Sequence, residues 1–400
     1  MVNPYGVKKM LNILVIGTGM YSTGRGTDAY GTVLPAINEW QRNNSNISKV
    51  VFVGTNGSHS IASRRKAEQL ARDTGVNLDI SFLPEPDVID LEAYKLALKE
   101  IPRPACAIVV VPDHLHFQVA YDCLMEDLPI LVVKPLTPTV KEGERLVKLA
   151  RGRGLYAAVE FHKRWDKANL MMKDKIQGGY LGDLLYCWVE YSQRKSIPTE
   201  IFKAWAEKTT ILQYLGIHYI DIVRFYTGAI PRRVMSVGQK KWLLSKGIDT
   251  YDAIQCVIEW EMEEGYRFTQ TILTNWIDPE TSSAMSDQKI KMVGTKGRFE
   301  SDQKERGIRI NVDDRYFEQP NPDYCMDYID DNGNKTWRGY GIDSIKTFLS
   351  DVENINSSKV DIESLELVRP SFSEALISTA VIEAAHKSLF TDNKWQSVKY

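Results

Sequence analysis

The sequence predicts an α/β protein in two parts: a parallel sheet covered by helices on both faces, then a mostly antiparallel sheet. Three observations carry this. Short apolar runs alternate with helical stretches as far as Glu160. Beyond about residue 180 the runs alternate apolar and polar, one residue at a time. The chain has 400 residues, enough for two domains at roughly 150 residues each.

In order, Asn12–Ile16 (NILVI) has the unbroken apolar character of a strand buried on both faces. Thr32–Trp40 reads as a helix, with Pro35 tolerable near its first turn. Lys49–Val53 (KVVFV) is a second strand, and Ile61–Asp73 a helix of mixed charge that stops before Gly75. Cys106–Val111 (CAIVVV) is a buried strand closed by Pro112, and Ile130–Val133 another, closed by Lys134-Pro135. A helix over Thr139–Gly152 and a strand over Tyr156–Glu160 follow. Strands alternating with helices imply parallel crossovers. Later, Leu184–Gln193, Ala253–Trp260, Tyr266–Thr274 and Lys289–Val293 alternate, with Glu263-Glu264-Gly265 as a turn between two of them. Helices interrupt at Thr209–Tyr226, Ile342–Val352 and Ser371–Leu389. The boundary is expected within 135–165, dividing the chain into 1–140 and 141–400.

Composition narrows the function classes. Lys and Arg number 50 against 52 Asp and Glu, a net charge of −2, so the chain has no overall basic character to suggest nucleic-acid binding. Its apolar runs fall far short of the ~20 residues of a membrane helix. Met1–Met10 is short and polar, and Leu11–Ile16 is too brief for a signal-peptide core, so the cytosol is the expected compartment. Cys106, Cys123, Cys187, Cys256 and Cys325 form no CxxC pair and are expected to be reduced.

Gly17-Thr18-Gly19 follows the first strand, where glycines allow a tight turn and close backbone approach to a pyrophosphate. Ser22 holds the third glycine position of a GxGxxG fingerprint. The loop Met20–Gly31 reads as an insertion, with Gly31 or a neighbour in the third role and Ser22, Thr23 and Thr27 as phosphate donors. Arg25, flanked by glycines, would reach a phosphate of cofactor or substrate. Thr55 and Asn56 stand where a ribose-binding carboxylate is usual for NAD. With Arg64 and Arg65 nearby, this tilts toward NADP.

Asp113-His114-Leu115-His116 lies at the carboxyl end of a parallel strand, where ligands bind. Asp113 suits a helix cap. His-x-His has no companion ligands at metal spacing, so no metal is expected. Lys134 can point an ammonium into the same cleft, and a cis Lys134–Pro135 bond would fix its direction. Tyr214, His218 and Asp221 fall on one face of a regular helix.

Together these segments resemble the glucose–fructose oxidoreductase / inositol dehydrogenase (Gfo/Idh/MocA) family. Val159-Glu160-Phe161-His162-Lys163-Arg164-Trp165-Asp166 looks like its "RRF-x-P" segment, Gly178–Asp183 like its "G-x-LG" turn, Leu215–Asp221 like its "D-x-G-x-H-x-x-D" helix, and Val293–Gly297 like its "GTKG" turn. The resemblance implies an N-terminal Rossmann domain and a C-terminal α/β domain on a large, mostly antiparallel sheet. It also implies a homodimer or homotetramer formed through that sheet.

On this pattern the chain would transfer hydride between NAD or NADP and a secondary alcohol of a sugar, nucleotide sugar or cyclitol. Lys134 and His218 would be catalytic. Tyr214, Arg164, Trp165 and Trp205 would bind substrate. Gly17, Thr18, Gly19, Met20, Tyr21, Arg25, Thr55, Asn56, Pro112, His114, His116 and Lys134 would contact the cofactor. Val133 replaces the usual Glu of Glu-Lys-Pro, and Tyr214 the usual Asp four residues before the histidine, where its hydroxyl or ring would meet the sugar. Two other classes share the resemblance: a glycoside-cleaving enzyme using bound NAD in an oxidation–elimination cycle, and a nucleotide-sensing regulator without turnover.

Overall fold

A computed structural model describes residues 10–44, 46–313 and 316–400. The segment 1–9, most of the polar stretch read for a targeting signal, lies outside the described residues. The first sheet contains β1 (Leu11–Ile16), β2 (Ile47–Val53), β3 (Ile80–Leu83), β4 (Ala105–Val109), β5 (Ile130–Val133) and β6 (Ala157–Glu160). All pairs are parallel, in the order β3-β2-β1-β4-β5-β6. This is the doubly wound order, whose direction reverses between β1 and β4. Every residue of β1 and β4 is buried, which accounts for their unbroken apolar runs.

The crossovers are α1 (Met20–Thr23) with α2 (Val33–Asn44), α3 (Gly57–Thr74), α4 (Ala93–Glu100), α5 (His116–Met125) and α6 (Val140–Gly152). The expected strands are present within a residue or two. The short β3 and the helices α4 and α5 carried too little periodicity to be read.

The parallel sheet runs on through Glu160, past the expected limit at 140. After α7 (Lys167–Gln177) come β7 (Leu184–Arg194), α8 (Ile217–Thr227), β8 (Ile230–Gln239), α9 (Trp242–Ser245), β9 (Ala253–Glu261), β10 (Arg267–Asp278), β11 (Ser286–Gly294) and β12 (Arg298–Asp302). Two hairpins follow, β13 (Ile310–Val312) with β14 (Tyr316–Glu318) and β15 (Met326–Ile329) with β16 (Lys335–Arg338). The chain ends with α10 (Tyr340–Asn356), α11 (Ile362–Val368), α12 (Phe372–Phe390) and β17 (Gln396–Ser397). The second sheet has the order β12-β11-β7-β10-β9-β8-β17. Only its β7–β10 pair is parallel among these strands. β9 alternates buried and half-buried along its whole length, as a sheet with one packed face requires.

The C-terminal helices do not stay with the second sheet. Ile342, Ile345, Phe348, Leu349 and Val352 of α10 join the core beneath β1, β2 and α2. Trp40 of α2 donates its indole N–H to Ser350 at 3.0 Å. The hairpin β15–β16 also leans on the first domain, where the Trp337 N–H reaches Glu39 at 3.1 Å. This return brings Tyr324 and Tyr340 against His162, 5.4 and 5.6 Å between ring centres.

Candidate active site

The dinucleotide turn is built as the glycines require. Gly17 has φ +117°, and a Cβ there would fall 1.9 Å from the Val110 carbonyl oxygen, so only glycine fits. At Gly19 a Cβ would meet nothing within 4 Å. That open cradle, against the first turn of α1, fits the backbone approach a pyrophosphate needs.

The inserted loop differs from expectation. Gly31 closes onto the Tyr21 and Met20 carbonyls, where a Cβ would lie 2.7–2.8 Å from them, and so seals the end of α1 rather than packing helix on strand. Thr23 bonds Ser63 at 2.9 Å, and Thr27 bonds the Gly24 carbonyl at 2.9 Å. Ser22 is fully buried with its hydroxyl unpartnered. These three hydroxyls therefore do not face a phosphate. The loop lies along α3 instead: Lys66 holds the Thr27 carbonyl at 2.7 Å and Tyr30 bonds Asp73 at 2.8 Å. Arg25 turns inward, its Nε donating to the Thr18 carbonyl at 2.9 Å, and its charge, after burial, depresses the His59 pKa.

Thr55 is exposed at the end of β2, and Asn56 caps α3 by accepting from the Ser58 N–H at 2.9 Å. Arg64 and Arg65 lie two turns into α3, ~10 Å along its axis, and Arg64 stacks on Phe82 at 5.6 Å.

At the end of β4, Pro112 leads a 3₁₀ turn over Asp113–Leu115. Asp113 does not cap a helix: it accepts from Thr209 at 2.9 Å and from Gln213 at 2.8 Å, tying this turn to the approach to α8. His116 is fully buried, with its ring nitrogens on the Pro135 and Val111 carbonyls at 2.6 and 2.9 Å. It braces the Lys134–Pro135 corner and is not exposed to a cofactor. His114 is half-buried, 3.4 Å from the Lys208 ammonium, with Nδ1 unpartnered.

Lys134–Pro135 is cis. The Lys134 ammonium donates to the Tyr214 carbonyl and lies 3.6 Å from the centre of the Tyr214 ring. Burial pushes its pKa down to about 8, against the opposing pull of Asp113 and Glu160. The chain enters α8 through a π-helical turn, Leu212–Gly216. The wider turn breaks the regular helical register. Tyr214 consequently packs with Phe202, Trp205 and Trp276 at 4.7, 6.0 and 6.1 Å, and not along His218 as the i, i+4 spacing predicted.

His218 instead meets His162, Phe161 and Tyr191, with centroids 4.7, 6.1 and 6.4 Å away. It is 3% exposed and its Nδ1 has no partner. Burial holds its pKa well below the usual imidazole range, and the charges of His162, Lys134 and Lys163 add to this.

The segment His162–Trp165 forms a 3₁₀ turn, whose side chains step ~120° per residue and so diverge. His162 faces His218 and the cleft. Lys163 goes behind it, bonding Gln288 and, at 3.1 Å, Gln303, with burial pushing its pKa down to about 7. Arg164 turns away to Asp221 in a buried bidentate pair at 2.6 and 2.9 Å. Trp165 donates its indole N–H to Thr347 of α10 at 2.9 Å. The substrate roles expected of Arg164 and Trp165 are therefore corrected: both join elements together. His162, held by Glu160, is the member of the segment at the cleft, and neither was given a role from the sequence. The signal was available, since a short turn disperses consecutive side chains, but nothing local says which one points where.

Comparison with known proteins follows the same outline. Residues 11–161 match the family model described as "Oxidoreductase family, NAD-binding Rossmann fold", and residues 169–300 the "GFO/IDH/MocA C-terminal domain". The chain is 28% identical over 218 residues to the NADP(+) scyllo-inositol 2-dehydrogenase IolW of Bacillus subtilis, covering 53% of this chain and 50% of that protein. It is 26% identical over 164 residues to the NAD(+) scyllo-inositol 2-dehydrogenase of the same organism, covering 41% and 44%. The matched stretches thus span about half or less of these two relatives. In fold, the chain is similar to scyllo-inositol dehydrogenase from Lactobacillus casei, solved with NAD(H) and scyllo-inositol: TM-score 0.66, 13% identity, 98% and 99% coverage. It is also similar to GenD2 of gentamicin A biosynthesis, solved with NAD: TM-score 0.67, 15% identity, 100% of both chains.

Proposed function

The chain belongs to the Gfo/Idh/MocA oxidoreductase family, and from that premise we propose that it is an NAD(P)-dependent dehydrogenase or reductase of a secondary alcohol on a cyclitol or sugar. The observation that carries this reading is a buried ammonium at the carboxyl end of β5, Lys134, close enough to His218 of α8 for its charge to help keep that imidazole neutral. Both curated relatives above are scyllo-inositol 2-dehydrogenases, one of NADP(+) and one of NAD(+), which favours a cyclitol.

When bound, the nicotinamide supplies the hydride acceptor. Gly17, Thr18 and Gly19 offer the backbone cradle, with Met20 and Tyr21 at its rim. Thr55, Asn56, Pro112 and His114 border the same carboxyl-end crevice. His218, neutral at physiological pH, accepts the carbinol proton. Lys134 donates to the same oxygen as negative charge develops on it. Trp205 and Tyr214 form an aromatic wall beside Lys134.

Initial rates with scyllo- and myo-inositol and either cofactor test the reading. Absence of turnover with both would count against it. For an active enzyme, the oxidation profile carries a second test. Lys134 is useful as an ammonium, the form present below its pKa of about 8. Oxidation kcat/KM is therefore expected to fall above about pH 8. Lys134→Ala should lower kcat by ~10²–10³ and remove that alkaline limb. A wild-type profile flat to pH 10 would remove the ammonium from the chemistry.

The cofactor preference rests on Arg25 and the missing carboxylate at Thr55. Both NADH and NADPH are expected to bind, as read by fluorescence titration. Arg25→Ala should weaken NADPH by ~10-fold, as loss of a charged hydrogen bond would. Unchanged affinity for both cofactors would leave Arg25 only its bond to Thr18. For assembly, the open face of the second sheet is the surface proposed to receive a second copy. The unpaired state of all five cysteines supports a reducing compartment.

A further inference from the structure

His162 stands where the two domains meet. Its ring lies 4.7 Å from His218, 5.4 Å from Tyr324, 5.6 Å from Tyr340 and 6.4 Å from Tyr21 of the dinucleotide turn. Its Nδ1 is 3.0 Å from Glu160 Oε2. The other Glu160 oxygen accepts from Ser344 at 2.7 Å, and Glu160 is only 3% exposed. An ionised carboxylate only accepts, so Nδ1 must carry the proton of this bond. That leaves Nε2 for a ligand hydroxyl, accepting from it when the ring is neutral and donating to it when the ring is charged. The second-partner fixing of a ring nitrogen is how proteins orient a histidine toward a ligand.

One further polar atom of the cluster, His218 Nδ1, is buried without a partner. Leaving such a group bare is unfavourable, and a ligand hydroxyl would offset that. The family's carboxylate position is Tyr214 here, and Tyr214 is turned onto Lys134. The carboxylate this cleft does hold, Glu160, reaches it through His162.

We propose that His162, oriented by Glu160, binds the substrate hydroxyl next to the carbinol being oxidised, and so selects vicinal diols such as cyclitols. This rests on the dehydrogenase reading above. His162 Nε2 bonds the neighbouring hydroxyl while His218 faces the reacting one. Glu160 is the positioning residue, reaching the substrate through the His162 ring.

The test uses the full chain, scyllo-inositol as probe and a saturating nicotinamide cofactor. His162→Ala is expected to raise KM by ~10–100-fold, equivalent to losing one strong hydrogen bond, with kcat falling far less. His162→Gln, which keeps a polar group in reach, should recover part of the loss, and Glu160→Gln should give an intermediate KM. A merely structural role would instead lower the melting temperature and the active fraction, leaving KM where it was. KM within twofold of wild type in both His162 variants overturns the proposal while the dehydrogenase reading survives. A wild-type chain that neither oxidises nor binds scyllo- or myo-inositol overturns both.

Discussion

His218→Ala is expected to lower kcat by ~10²–10⁴, the usual contribution of a positioned general base, while cofactor affinity persists. The imidazole must be neutral to accept a proton, and four features keep it so. Burial comes first, followed by the neighbouring charges of His162, Lys134 and Lys163. Because these hold its pKa well below the usual value of 6.5, the wild-type oxidation rate should show no acidic limb near pH 6.5. A carboxylate four residues earlier would have opposed this depression, and the tyrosine at that position does not. The measurement is kcat from pH 5 to pH 8 for both proteins, after their melts show them folded. A folded His218→Ala enzyme with wild-type kcat across that range would end the general-base assignment.

Arg164→Ala is expected to act on stability rather than on substrate affinity. Arg164 is 6% and Asp221 1% exposed, and the pair is bidentate, with Glu374 of α12 a further 3.7 Å contact. One interaction therefore joins the 3₁₀ turn, α8 and α12. Removing the guanidinium strands a buried carboxylate, which costs about 3–5 kcal/mol.

The pH dependence identifies the cause. Burial already raises the Asp221 pKa despite the opposing pull of Arg164, so without its partner the pKa rises further. A raised folded-state pKa contributes stability that is present below the unfolded value and lost as pH rises through the folded one. The deficit of the variant should thus be smaller at pH 5 than at pH 8. Urea unfolding at both values checks this, and Asp221→Asn in the Arg164→Ala background should recover part of the loss. Near-normal stability with a raised KM would return Arg164 to the substrate site.

How much of this was legible depended on whether the information was local. The parallel strands were readable because β1 and β4 are buried on both faces, which demands unbroken apolar runs. The open sheet was readable because one packed face imposes a period of two, as in β9. The glycine turn was readable because the positive φ of Gly17 excludes other residues.

Other features turned on contacts between distant segments. Sequence spacing placed Tyr214 along His218, but a π-helical turn between them shifted the register. The same spacing logic could not rank His162, Lys163, Arg164 and Trp165. A 3₁₀ turn sends neighbours in different directions, and each direction is settled by a partner 57 to 182 residues away or by the cleft itself. Likewise α10 joined the first core because its apolar face completes the packing under β1 and β2, a match no local period records.

By itself, then, the sequence determined the order of strands and helices, the two sheet types and the cofactor turn. Backbone geometry and one-sided burial write these into consecutive residues. Tertiary structure alone decided which of the motif's polar side chains face the cleft. That choice depends on desolvation and on charge partners supplied by other segments, as when Asp221 takes Arg164 out of the site and Glu160 holds His162 in it.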